Sequence, residues 1–219
     1  MIFGLCLATP LLAGDAPAGS ATEMVPLVLK LPSPVFAGTP KAAPAGVNVE
    51  PDKPGAPIQV PKDAHNIAPK AKLTCSDRNV TRADLAKITD GDKEAEGDAV
   101  VELKKGLQWI QFDFGSPQEI DAIAIWHAHD IAKIFRCVIA QAADDQDFTV
   151  NVKTLYNNDR ENTAGMGVGT NRQYFETFRG KTIDGKGIHA RFVRLYSDGS
   201  TDSKLNEYTE VEIYGRPAK

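Results

Sequence analysis

Between Leu107 and Gly215 the apolar residues come in short runs separated by turn-forming residues. The runs "LQWIQFDFG" (107–115), "EIDAIAIWH" (119–127), "FRCVIAQA" (135–142), "VKTLY" (152–156), "ARFVRLYS" (190–197) and "YTEVEIYG" (208–215) are rich in Ile, Val, Phe and Tyr. Gly, Pro, Asn and Asp bound them, which predicts strands. "RADLAKI" predicts one helical turn. Many strands without intervening helices predict an all-β chain, an antiparallel sandwich or barrel. Alternation in "FVRLY" sets Val193 and Leu195 on one face, with Phe192, Arg194 and Tyr196 on the other. Trp109, Phe112 and Phe114 sit in an apolar strand and are expected in the core.

The first sixty residues read differently. "MIFGLCLATPLLAGDAPAGSA" carries an apolar stretch from Ile2 to Ala13 followed by small residues, the pattern of a secretory signal peptide ending near residue 18. A positive start is missing, and the residue before Cys6 does not suit a lipoprotein signal. The expected location is secreted or periplasmic. Residues 19–63 are rich in Pro and Ala, so extended chain is expected there, a linker or a segment draped over the domain. Within it, "LVLKLP" (27–32) can add an edge strand or dock locally. The domain itself is expected over residues 64–217.

Composition narrows the partners. A formal net charge of -4 in 219 residues, with no basic stripe, argues against nucleic acid. No apolar run reaches the roughly 20 residues that span a bilayer. In an oxidising compartment Cys75 and Cys137 can form one disulfide, or stay buried as small apolar thiols. There is no G-x-S-x-G, CxxC or H-E-x-x-H, so nothing in the sequence points to an enzyme.

"NIAPKAKLTCSD" (66–77), "ITDGD" (88–92), "QWIQFDFGSPQEIDAIAIW" (108–126), "ARFVRLYS" and "TEVEIYG" (209–215) follow one another in the order and spacing of a discoidin domain. Over residues 64–217 the chain resembles this coagulation factor type C, galactose-binding-like group, which includes carbohydrate-binding modules. The resemblance implies a jelly-roll β-sandwich with ligand-binding loops at one end. "LYNNDRENTAGMGVGTNRQYFE" (155–176) departs from the family pattern as a long polar insertion.

Three constellations carry candidate chemistry. "KITDGDKEAEGDAVVEL" (87–103) holds six carboxylates: Asp90, Asp92, Glu94, Glu96, Asp98 and Glu102. Calcium takes six to eight oxygens from carboxylates and carbonyls. The resemblance implies one structural calcium held by Asp90, Asp92 and Glu210, with carbonyls near Lys87 and Thr209; the alternative is a solvated turn, and the other four acids read as solvated. "WHAHD" places His127 and His129 two apart, open to sugar contact, to a metal, or to hydrogen bonds with loop backbone. Asn157, Asn158 and Asp159 suit hydroxyl recognition or turn building equally, and Asn206 and Tyr208 read similarly. The expected function is an exported, non-catalytic binding module for carbohydrate. The alternatives are adhesion to a protein partner, or a metal-dependent enzyme built on the histidine pair.

Overall fold

The computed structural model describes residues 1, 22–35, 47–51, 55–95 and 97–218. The expected signal peptide, Cys6 and Glu96 lie outside the described residues. Among the described residues the strands are β1 (Met24–Pro26), β2 (Gln59–Pro61), β3 (His65–Asn66), β4 (Lys72–Cys75), β5 (Val101–Leu103), β6 (Gln108–His127), β7 (Ile139–Ala143), β8 (Lys153–Asn157), β9 (Lys181–Ser197) and β10 (Asn206–Pro217). One short helix, α1 (Arg82–Ala86), stands where "RADLAKI" predicts it. Its cap is Thr81, whose hydroxyl accepts the Asp84 N–H at 3.1 Å, satisfying a donor the first turn leaves unpaired.

β6 and β9 are long and run through both layers. The first part of β6 pairs with β4 and with the second part of β9, which pairs with β7, and β7 in turn with β8. The second part of β6 lies between β10 and the first part of β9, and β3 and β5 add to β10. Inward residues of both parts (Ile110 and Phe112; Ile123 and Ile125) join Val193, Leu195, Val211 and Ile213 in one apolar cluster. All strand pairs in the sheet are antiparallel, and the chain adopts the all-β sandwich expected of it.

Two bulges set which side chains face out. In β10 the residues of the apolar cluster are Tyr208, Val211 and Ile213, a step of three where a flat strand steps by two. The register shift between Tyr208 and Glu210 absorbs the extra residue and turns Glu210 and Glu212 to the outer face. In β6 the cluster takes Ile120, Ile123 and Ile125, and the shift against Tyr214 and Gly215 of β10 leaves Asp121 as the extra residue on that side, while β9 sets Gly185, Lys186 and Gly187 opposite it. Its partner β9 passes this point through Gly185, where a Cβ would sit 2.4 Å from the Ile120 carbonyl oxygen. Only a residue without a Cβ allows that approach.

The described parts of the Pro-rich segment touch the domain at Lys30, Val49 and Glu50. β1 pairs with β2, so the strand is Met24–Pro26, while residues 27–32 dock locally, the Lys30 carbonyl taking the Lys93 ammonium at 2.8 Å. Leu27 N–H continues the pairing to the Ile58 carbonyl at 2.8 Å. Glu50 meets the Lys181 ammonium at 2.6 Å, and Val49 bridges to Gln173 in parallel.

Of the three aromatics expected in the core, Phe112 is fully buried and Phe114 packs against the cluster from a half-buried position. Trp109 does not join them. It is half-buried beside Tyr196 in the register, with the Arg194 guanidinium over its ring at 4.6 Å and over Phe148 at 4.0 Å. The strand alternates, so Trp109 faces away from the side that Ile110 and Phe112 fill. Cys75 and Cys137 are free thiols; burial pushes the Cys137 thiol up to about 12, which keeps it protonated and unreactive.

Candidate functional site

The acidic stretch divides between two places. At the Asp90–Gly91–Asp92 turn, Asp90 Oδ1 accepts the Asp92 N–H at 2.9 Å and Asp92 Oδ1 accepts the Glu94 N–H at 3.0 Å. These side-chain turns fix the backbone locally. The Gly91 N–H reaches across to Glu210 Oε2 at 3.1 Å. Glu210 is 1% exposed, and burial pushes its carboxyl up to about 8, with the charges of Glu212 and Asp90 adding to the effect. Beside it Lys93, also buried, places its ammonium 2.6 Å from Glu212 and 2.8 Å from the Lys30 carbonyl, over the Trp126 ring at 4.5 Å. A buried carboxylate with one N–H donor suits a hard cation, since the cation would supply the charge that burial removes. The donor types fit calcium. Among the described residues no three His, Cys, Asp or Glu side chains converge as a cage, so backbone oxygens near Lys87 and Thr209 would have to complete the shell. Thr209 itself is buried, its hydroxyl donating to the Trp126 carbonyl at 3.2 Å.

The candidate ligand residues lie inside the fold. His127 and His129 are both fully buried. His127 Nδ1 meets Glu176 Oε2 at 2.9 Å and its ring stacks on Phe135 with centroids 4.2 Å apart. His129, past the end of β6, has Nδ1 3.1 Å from the His127 carbonyl. The pair therefore does not present two rings from one strand face. Asn206 makes four bonds: its oxygen accepts from the Ser197 hydroxyl and Gly199 N–H, its amide donates to the Lys104 and Gly106 carbonyls, all at 2.7–2.9 Å. That is the full set commonly open to such a side chain. Tyr208 pairs its hydroxyl with Ser197 at 2.9 Å.

Asn157, Asn158 and Asp159 hold the long insertion together. Asn157 Nδ2 donates to the Gly167 carbonyl at 3.0 Å, and the Asp159 carboxylate accepts the Thr163 and Ala164 N–H groups at 3.0 and 2.7 Å. Asn158 Oδ1 accepts the Val138 N–H at 2.8 Å, which ties the end of β8 to the loop before β7. Gly169 packs so closely here that a Cβ would lie 2.5 Å from the Asn157 carbonyl oxygen. All three are buried. As placed, these seven side chains shape the loops and do not face solvent.

What does face solvent is an open cavity of about 570 Å³ between the loop after β4, helix α1, β5, the loop after β6 and the start of β10. Its charged lining includes Asp77, Asp84, Glu102, Asp130, Lys133 and Glu207, with Lys87 at the side. Asp77 is fixed by the Asn79 and Lys104 N–H groups at 3.0 and 2.7 Å, which hold its carboxyl below the ordinary range. Lys133 is 3% exposed, its ammonium 2.9 Å from both Asp130 and Glu207. Burial works against its charge, but the two carboxylates outweigh burial and raise its pKa. An ammonium has three donors, so one N–H is left for a ligand oxygen. The loop bearing Lys133 is braced by the Ile134 N–H to the Thr201 hydroxyl at 3.1 Å and the Thr201 N–H to the Ile134 carbonyl at 2.9 Å. In the sequence this site shows as Asp130 and Lys133, charged residues three apart after "WHAH", and as Lys87 and Glu102 at the two ends of the acidic stretch. Glu207 carries no local signal.

The antiparallel β-sandwich, with its bulges in β6 and β10 and its cavity among the loops, is the fold that the discoidin-like resemblance implies. A solved structure shares it. A segment of a family 89 glycoside hydrolase from Clostridium perfringens matches at 16% identity and a TM-score of 0.51, covering 70% of this chain and 15% of that one. The CBM32 of AlyQ, solved with 4,5-unsaturated mannuronic acid, matches at 19% identity and a TM-score of 0.46 over 65% of this chain and 92% of that one. Chitosan-binding module 1 from a chitosanase/glucanase of Paenibacillus sp. IK-5 matches at 17% identity and 0.45, over 69% and 99%. The chain thus spans about 15% of the length of the hydrolase. No protein-family model and no curated protein matches.

Proposed function

We propose that this protein is an exported, non-catalytic carbohydrate-binding module that takes its glycan in the loop-end cavity and is clasped by one structural calcium at the Asp90–Asp92 turn. The observation that carries the reading is Lys133: a buried ammonium at the cavity wall, fixed between Asp130 and Glu207, with a donor left for a hydroxyl. Rigid charged groups with spare hydrogen-bonding capacity are what discriminate neighbouring hydroxyls in a ligand pocket. The fold supports the reading, since the structure that shares it at a TM-score of 0.51 is a segment of a glycoside hydrolase. Export rests on the apolar stretch from Ile2 to Ala13. No helix among the described residues is long and apolar enough to cross a membrane.

A glycan array and affinity electrophoresis in gels of soluble polysaccharides test the proposal. Retention by at least one glycan is expected, and it should weaken at least tenfold in Lys133→Ala. The reading fails if no glycan retains the protein, or if Lys133→Ala, still folded by its melting curve, binds as the parent does.

A further inference from the structure

Resting on that reading, we infer that the glycan taken by the loop-end cavity is cationic, an oligosaccharide of unacetylated amino sugars. The cavity is lined by five carboxylates, Asp77, Asp84, Glu102, Asp130 and Glu207, against two ammonium groups, Lys87 and Lys133. Lys133 is already held between Asp130 and Glu207, so the wall around it retains negative charge. Glu102 is exposed and Asp84 half-buried, leaving both accessible to a ligand from solvent. A concave site lined by one sign of charge raises the local concentration of the opposite sign and repels its own. Uronate polymers would meet that repulsion at every residue. Neutral sugars would gain only hydroxyl contacts. A protonated 2-amino sugar offers both matching groups at once: ammonium for the surplus carboxylates and hydroxyl oxygens for the remaining Lys133 N–H.

The test uses the full chain after removal of any leader and four soluble probes of equal length. These are a β-1,4-glucosamine hexamer, its fully N-acetylated counterpart, a hexamer of galacturonic acid and hexalysine. Calorimetry at a pH that protonates the amines should show the glucosamine hexamer binding about tenfold or more tighter than the acetylated one, about 1.4 kcal/mol. Raising salt should weaken it, as screening requires. The pair Asp84→Asn with Glu102→Gln should lose that preference while its melting temperature stays unchanged. Equal affinity for the acetylated or uronate hexamer overturns the inference and leaves glycan binding in place. Equal affinity for hexalysine overturns it in favour of a basic peptide. Preference that survives in the double variant overturns the cavity as its source. No binding in the series by a protein that the array shows to bind another glycan removes the cationic class alone, whereas silence in both removes the function with it.

Discussion

Strand β10 carries three outward glutamates that serve two different regions. Glu207 stands at the rim of the cavity, its carboxylate beside a lysine that lines open space. Glu210 and Glu212, beyond the Thr209 bulge, are covered by the Asp90–Asp92 turn and by the segment around Lys30. The residue type is the same and the strand is the same, yet one acid faces a place a ligand can reach while the other two clasp the chain to itself. Exposure alone does not decide the difference, since the Glu207 and Glu212 side chains are 12% and 11% exposed and each is paired with a buried lysine. What lies beyond the pair does: the cavity for Glu207, the covering chain for Glu212. Glu210, 1% exposed and without a lysine of its own, needs a partner cation or gives up its charge.

The largest effect that would sharpen this contrast is Glu212→Ala. It leaves the buried Lys93 ammonium without its carboxylate and also removes the acceptor of the Tyr214 hydroxyl at 3.0 Å. Breaking one side of a buried pair costs about 3–5 kcal/mol, read as a fall in the urea midpoint. Replacing Lys93 and Glu212 together by Met and Leu should recover most of it. If Glu212→Ala were as stable as the parent, the covered region would not be the clasp described here.

Next comes the cation. Calcium at 100 times its dissociation constant should add about 2.7 kcal/mol, visible as a higher melting temperature with calcium than with chelator. The effect must depend on pH with a definite sign. Glu210 holds its proton up to about 8 in the cation-free fold, against 4.5 when unshifted, so the fold binds more protons than the unfolded chain between those values. Cation-free stability therefore falls as pH rises from about 4.5 to about 8. Calcium, which needs the ionised carboxylate, should stabilise more towards the upper end of that window. Equal melting with calcium and chelator across the whole window would leave a solvated turn.

Much of the covered region was legible in the sequence. Six runs of apolar residues named most of the sheet, and the resemblance, through "DGD" and "TEVEIYG", set the Asp90–Asp92 turn near Glu210, whose carboxylate accepts the Gly91 N–H. The first part of β9, "KTIDGKGIH", was not legible, because Asp184, Gly185, Lys186 and Gly187 read as a turn. Here they carry a strand past a bulge, with Lys186 at φ 58° and Gly187 at φ 64°. The open region was barely legible at all. Its wall comes from five separate segments, and whether Asn206 or Lys133 faces solvent depends on neighbours about 100 and 70 residues away. Polar residue type suggested His127, Asn157 and Asn206 as contacts; burial gave them internal partners instead. At Tyr208 the β10 bulge matters: the core takes Tyr208 with Val211, where a flat strand would pair its face with Glu210.

A smaller effect is expected at Asp121, the extra residue of the β6 bulge. It is 5% exposed with one oxygen, Oδ2, lacking a hydrogen-bond partner among the described residues. Burial, then the charge of Glu119, pushes its carboxyl up to about 6 from 3.8. The sign matches Glu210: stability should fall as pH rises from about 3.8 to about 6. Asp121→Asn removes that loss and should gain at most about 1 kcal/mol at neutral pH, since solvent and the nearby Arg216 screen the charge. Urea midpoints at two pH values either side of the window check it; a variant less stable than the parent at neutral pH would mean that the ionised carboxylate is needed at the bulge.

The smallest effect belongs to the rim. Asp84→Asn and Glu102→Gln alter groups that contact solvent, and surface changes away from caps and buried networks usually stay within about 0.5 kcal/mol. Asp84 needs one check, because its carboxylate also accepts the Thr81 hydroxyl. The cap bond itself runs from the Asp84 N–H to Thr81 Oγ1 and does not involve the carboxylate, so Asn at 84 retains the cap and keeps an oxygen for the hydroxyl. Melting curves of the two variants should therefore overlay the parent's, while Glu212→Ala shifts far below it. A rim variant that destabilised as much as the covered one would show that these acids support the fold, and the division between clasping and ligand-facing carboxylates would collapse.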